Sequence, residues 1–171
     1  MKDNQNEIFP IVDEKGTVVG KATRGECHSG SKLLHPVVHL HVFNSRGDLY
    51  LQKRPEWKDI QPGKWDTAVG GHLDYGESPE VALRREVREE LGITDFTPQF
   101  IGMYVFESAR ERELVYVHRT TYDGEINPSK DELDGGRFWT MAEIQEAIGK
   151  GVLTPNFESE FLRFKEVMET K

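Results

Sequence analysis

From Gly71 to Ile93 the chain reads GHLDYGESPEVALRREVREELGI. The stretch from about Pro79 to Leu91 has the spacing of an amphipathic helix. Ser78 suits the N-cap, Pro79 the first helical position and Gly92 the C′ position. At about 100° per residue, Leu83, Val87 and Leu91 make an apolar stripe, and Glu90, Glu86 and Glu89 fill an arc of about 100° that begins beside Leu83. Arg84 and Arg88 point elsewhere, and only Arg85 is placed to touch Glu89. Glu86 and Glu90 are like charges at i,i+4, an arrangement that costs a few tenths of a kcal/mol when exposed and more beside a core. A helix serving solubility alone would interleave Lys and Arg with these acids. Three carboxylates bordering a buried stripe suit a hard divalent cation with oxygen ligands, Mg²⁺ or Mn²⁺. A solvated acidic surface is the other reading that helix geometry leaves open.

Upstream, EIFPIVDEKGTVVGKAT reads as a hairpin turning at Asp13 to Gly16. HPVVHLHVFNSRGDLYLQKR reads as a second one, with Val38, Leu40 and Val42 alternating with Val37, His39, His41 and Phe43 and a turn at Ser45 to Asp48. GKWDTAVGGHL reads as a short strand entering a glycine-rich bend. Downstream, TPQFIGMYVFES and ELVYVHRTTYDG predict two strands joined near ARER, GRFWT a further strand and MAEIQEAIG a helix. TPNFESEFLRFKEVMET predicts one closing amphipathic helix with Phe157, Phe161, Leu162 and Phe164 spaced for burial. Strands early and helices later predict a mixed sheet flanked by helices rather than repeated βαβ units, an α/β chain of the α+β kind.

At 171 residues the chain is expected to form one domain over 1–171, with 36% apolar, 30% charged and 10% aromatic residues typical of a globular protein. No apolar run approaches the ~18 residues of a membrane helix, and the polar start MKDNQNEIF lacks a signal-peptide core. The single cysteine, Cys27, rules out an internal disulfide framework and suits a reducing compartment, so a cytoplasmic protein is expected. A net charge of -8 argues against a nucleic-acid polymer as partner, while a small phosphorylated substrate remains compatible because a bound metal inverts the local sign. Lys53, Arg54, Lys58 and Lys64 do cluster, either as a solvated loop or as an anion contact.

The stretch from Gly71 to Ile93 resembles the Nudix box: glycine, five residues, glutamate, seven residues, then Arg-Glu-apolar-x-Glu-Glu-x-Gly-apolar. Gly71, Glu77, Arg85, Glu86, Val87, Glu89, Glu90, Gly92 and Ile93 fill every fixed position. Chance would produce such a match on the order of once in 10⁸ starts. The resemblance implies the Nudix fold, a mixed sheet sandwiched between helices. It also implies metal ligation by Glu86, Glu89, Glu90 and the Gly71 carbonyl, with Arg85 and Glu77 as a supporting pair and Gly92 closing the helix. The implied reaction is hydrolysis of a diphosphate linked to a second group, by metal-assisted attack of water at phosphorus. Glu86, Glu89 or a carboxylate from a later loop takes the water's proton, and which one varies in the family.

VDEKGTVVG, H…LH, VFNSRGDLYLQKR, PGKW, GGH, GES, ERE and TPNF also follow the order of features in type I isopentenyl-diphosphate isomerase, from about Ile11 to Phe161. That resemblance implies a second metal, Mn²⁺ or Zn²⁺, at His28, His35, His72, Glu111 and Glu113, and places Arg54 and Lys58 near the diphosphate. Each histidine has the plainer reading of a structural hydrogen-bonder. Two departures favour hydrolysis over isomerisation: Gly70 stands where the isomerase needs a cysteine, and Asn156 where it has a tryptophan. Cys27 does not occupy the catalytic position and is expected to be a buried structural thiol. An inactive metal-binding module is the remaining alternative, disfavoured because a decayed site has no physical reason to keep clustered repulsion. The substrate, the monomeric or homodimeric state and any base-stacking role of Trp57, Trp65, Tyr75 or Phe106 stay open.

Overall fold

The structure, a computed structural model, describes residues 4–58, 61–130 and 133–169. The first apolar runs pair as β1 (Ile8–Val12) and β2 (Val18–Thr23), an antiparallel hairpin. Asp13 Oδ1 closes its turn by accepting from the amides of Lys15 and Thr17 at 2.9 and 3.0 Å. A single-turn helix follows, α1 (Arg24–Cys27), which the sequence reading did not anticipate. Its signal is a capping box in which Thr23 and Glu26 bond reciprocally. The Cys27 thiol is fully buried, as expected, and burial pushes its pKa up to about 11.

β3 (Leu34–Phe43) is the spine of a seven-stranded mixed sheet. It meets β4 (Leu49–Lys53) only at Val42 and Phe43, so the expected hairpin is short. Asn44 Oδ1 holds that turn by accepting from the amides of Arg46 and Asp48 at 3.0 Å each. GKWDTAVGGHL makes two strands rather than one, β5 (Trp65–Thr67) on β4 and β6 (Val69–His72) on β3. β7 (Gln99–Glu107) and β8 (Arg112–Thr121) are antiparallel, β8 runs parallel to β3 along its whole length, and β9 (Gly136–Trp139) joins β4.

Both faces of the sheet are covered, which is why both parities of β3 are largely buried. On one face Val38, Leu40, Val42, Val69 and Leu73 pack against Ala82, Leu83, Val87 and Leu91 of α2 (Pro79–Leu91). On the other, Phe43, Leu49 and Leu51 pack against α3 (Met141–Ala147), α4 (Pro155–Arg163) and α5 (Lys165–Glu169) through Ile144, Phe157, Phe161 and Met168. The closing helix is therefore broken at Phe164, and Thr170 lies outside the described residues. The break turns the Phe164 ring onto Gly102, where a Cβ would lie only 2.7 Å from it. Among the described residues no helix is long and apolar enough to cross a membrane.

Candidate metal and diphosphate site

α2 has the predicted bounds and caps: the Ser78 side chain accepts from the Val81 amide, and Gly92 is left-handed at φ 69°. The helical wheel translates directly into depth. Glu90 is buried within the α2 core face, Glu86 is largely covered and the Glu89 side chain is about half exposed at 47%. Gly71 belongs to β6, and a Cβ there would lie 2.2 Å from Glu86 Cδ, so the Glu86 carboxylate rests on bare backbone. Burial raises the Glu86 pKa, opposed by its hydrogen bond with Glu90 and by Arg85.

Arg85 ties this group together. Its Nε and Nη2 donate to the two Glu77 oxygens at 2.8 Å each, its Nη1 donates to Glu86 at 2.8 Å, and Nη2 reaches the His72 carbonyl at 3.1 Å. Glu89 lies 3.5 Å from the same Nη1, so Arg85 makes the expected contact with Glu89 and touches Glu77 and Glu86 as well. Glu77 Oε1 also accepts from the Asp74 amide at 2.7 Å. The Arg85 bonds hold the Glu77 carboxyl below its ordinary range. Loop, strand and helix are thus joined through one guanidinium. The donor set, three carboxylates beside the side-chain-free backbone of Gly71, fits a hard divalent cation.

The expected histidine cluster also assembles. One ligand atom from each of His28, His35, His72 and Glu111 lies within 4.8 Å of every other. His28 Nε2 is 2.8 Å from Glu111, and Glu113 stands 3.8 Å from His35 Nε2 and 3.6 Å from His72 Nε2. Phe9 of β1 stacks on the His72 ring at 4.5 Å and 4°. His35 Nδ1 faces the Leu33 carbonyl at 3.0 Å, which aims its Nε2 inward. Burial lowers the His35 pKa and takes that of His72 to about 3, so both rings are neutral and offer lone pairs. Burial pushes Glu113 up to about 7, whereas at Glu111 burial is outweighed by the hydrogen bond to His28 together with the neighbouring histidines, which take it to about 2. Nε2 of His35 and of His72 is buried with no hydrogen-bond partner among the described residues, an arrangement that a bound cation would resolve.

The NUDIX domain model matches residues 33–157. The chain belongs to the Nudix family. It is similar to an uncharacterized Nudix hydrolase of Streptomyces coelicolor, 29% identical over 169 residues that cover 96% of this chain and 92% of the relative. An isopentenyl-diphosphate Delta-isomerase of Streptomyces avermitilis is 28% identical over 149 residues, covering 84% of this chain and 76% of that one. The crystal structure of DR0079 from Deinococcus radiodurans superposes with a TM-score of 0.79 at 25% identity, covering 92% of this chain and 98% of the other. The sandwich of helices about a mixed sheet is the Nudix fold, and the protein is a Nudix hydrolase. Nudix hydrolases typically use divalent metals and act on small molecules.

In this Nudix hydrolase the two basic candidates lie beyond the box. Arg54 follows β4 and lies 3.5 Å from Asp66 of β5. Lys58 Nζ sits 4.9 Å from the exposed Trp57 ring. Tyr75 is exposed, whereas Trp65 packs edge-on to Trp139. Sequence reasoning missed a third polar group, on the α4 face. The Glu160 carboxylate, 1% exposed, meets His39 Nδ1 at 2.8 Å, His41 Nε2 at 2.5 Å and the Tyr104 hydroxyl at 2.6 Å. Its signal was legible: Phe157, Glu160, Phe161 and Phe164 share the buried i, i+3, i+4, i+7 stripe, and an acid there requires partners.

Proposed function

We propose that the chain, as a single Nudix domain, hydrolyses the diphosphate linkage of a nucleoside-diphosphate-linked or other organic diphosphate by attack of water at phosphorus. Glu86, Glu89, Glu90 and the Gly71 carbonyl would hold Mg²⁺ or Mn²⁺. The observation that carries this reading is the Glu86 carboxylate resting on the bare Gly71 backbone beside buried Glu90. When bound, the cation neutralises phosphate oxygens and lowers the pKa of attacking water. Arg85 keeps Glu86 oriented toward Gly71, and Glu77 keeps Arg85 in place. Glu89, the most exposed of the three, is free to swing toward solvent and accept the water's proton, with Glu86 as the other candidate base. As the water oxygen bonds to phosphorus, the bridging P–O bond breaks and its electron pair leaves with the departing phosphate.

His28, His35, His72, Glu111 and Glu113 would hold a second cation, Mn²⁺ or Zn²⁺, and Arg54 and Lys58 would contact the diphosphate from the far side. The likeness to the isomerase keeps isomerisation as a test outcome, but Gly70 has no group to protonate or deprotonate carbon. The single cysteine supports a reducing compartment, the cytoplasm.

The test is a panel of nucleoside diphosphate sugars, dinucleotides, ADP-ribose and prenyl diphosphates, followed by phosphate or phosphomonoester release with and without Mg²⁺. Glu90→Gln is expected to lower turnover by orders of magnitude with the fold retained. A variant as fast as the parent would sink the mechanism, and conversion of isopentenyl diphosphate to its dimethylallyl isomer, seen by NMR, would replace it with isomerisation.

A further inference from the structure

β6 has β3 as its one strand partner among the described residues, so no second strand covers the other edge of Val69–His72, where Arg85 Nη2 meets the His72 carbonyl and Gly70 is left exposed. In the register Val38 is opposite Gly71 and His39 is opposite Gly70. Side chains at paired positions share a face, so the two glycines bare opposite faces of the same strand edge. Gly71 is covered by Glu86, from the α2 side. At exposed Gly70 a Cβ would lie 3.3 Å from His39 Cδ2 and 3.5 Å from His39 Nε2, from the α4 side.

The far nitrogen of this ring is anchored. His39 Nδ1 donates to Glu160, which is pinned in turn by His41 and Tyr104. A carboxylate behind Nδ1 fixes the orientation of an imidazole and directs Nε2 the other way. Here that direction ends at the strand edge, where the His39 side chain remains one-fifth exposed and Nε2 bonds to no described residue. Burial disfavours the charged ring, but the Glu160 carboxylate outweighs it and lifts the His39 pKa to about 9. Nε2 therefore carries a hydrogen at neutral pH.

Resting on the diphosphate reading above, we propose that His39 is an anion-contacting residue of the cleft, whose Nε2–H binds a phosphate oxygen of a diphosphate laid along the open edge of β6. Glu86 and its cation approach that diphosphate from one face, and His39 from the other. The contact compensates charge gathering on the departing phosphate without any proton changing owner. A role confined to pinning α4 on the sheet would require neither the glycine at 70 nor the uncovered Nε2 edge.

The experiment uses the full chain with Mg²⁺ and methylenediphosphonate, a diphosphate that resists hydrolysis. In protein labelled with ¹⁵N-histidine, the His39 Nε2–H signal is expected to shift on addition of this compound. By calorimetry, His39→Ala should bind it about tenfold or more weakly, the loss expected for one charge-assisted hydrogen bond, and His39→Gln should recover part of the loss. An unshifted His39 signal, or an unchanged Kd in folded His39→Ala, overturns the proposal and leaves the hydrolase reading intact. A parent protein that does not bind the compound overturns both. If His39→Ala does not fold, the histidine signal of the parent decides.

Discussion

The Glu86 carboxylate lies where a side chain at position 71 would have to be: a Cβ on Gly71 would come within 2.2 Å of Glu86 Cδ and 2.4 Å of Oε2. Gly71→Ala leaves the backbone conformation accessible but forces Glu86 away from both Arg85 and Glu90. The fold is expected to persist, because the end of a glutamate can yield. Turnover should fall about a hundredfold, the scale for a catalytic group misplaced by about 1 Å. Steady-state kinetics against circular dichroism separates the two effects, and undiminished turnover would show that Glu86 need not rest on that backbone.

Arg85 is bidentate on Glu77 and also bonded to Glu86 and the His72 carbonyl. Lysine keeps the charge but not the fork. Arg85→Lys is expected to lose about 2 kcal/mol, the scale of a charged hydrogen bond, and therefore about 4–8 °C in Tm. Activity should fall further than stability predicts, because Glu86 loses its brace. A thermal melt unchanged within 1 °C, on that same scale, would contradict the network.

The buried Nε2 atoms of His35 and His72 predict a bound cation beside Glu111 and Glu113. Metal analysis of purified protein should find Mn²⁺ or Zn²⁺ that a His28→Ala/His35→Ala variant lacks. Equal metal content in the two proteins would dismiss the second site.

His39 and Glu160 predict a pH window for stability. The folded His39 pKa is raised from its ordinary 6.5 to about 9, with Glu160 as the favourable cause and Glu113 and Asp66 adding to it. A raised pKa contributes stability in full below about pH 6.5, and that contribution is lost as pH rises through about 9. Tm should therefore decline across that interval, and His39→Gln should flatten the decline. Parallel curves for both proteins would remove His39 as the cause.

The Cys27 thiol, buried and raised to about 11, should react with a disulfide reagent at neutral pH only slowly in the native protein and rapidly in urea. Equal rates would mean that the α1 region opens freely.

Local spacing determined α2 by itself. Cap, first-turn proline, 3.6-residue stripe and left-handed glycine all lie within a span of fifteen residues, Ser78 to Gly92, and the wheel ranked Glu90, Glu86 and Glu89 in the order of burial that the fold displays. The box spacing named the family for the same reason: its residues are joined by one loop and one helix. The elements that were misread depend on distant partners. GKWDTAVGGHL divides into two strands because β3 and β4 each claim part of it, and the closing helix is interrupted where Phe164 seats on Gly102 of β7.

The polar group at Glu160 shows where sequence stops. An acid in an apolar stripe announces that it needs partners, but His39 and His41 lie well over a hundred residues away and Tyr104 more than fifty. Their meeting depends on β3 and β7 presenting one sheet face to α4, a matter of strand order and of which face each helix covers. The sequence by itself determined the helix, its caps and the identity of the carboxylates, because those follow from backbone periodicity. Only tertiary structure decided that Gly70 and Gly71 bare opposite faces of one open edge, with His39 behind the first and Glu86 behind the second, because that depends on the pairing of β6 with β3.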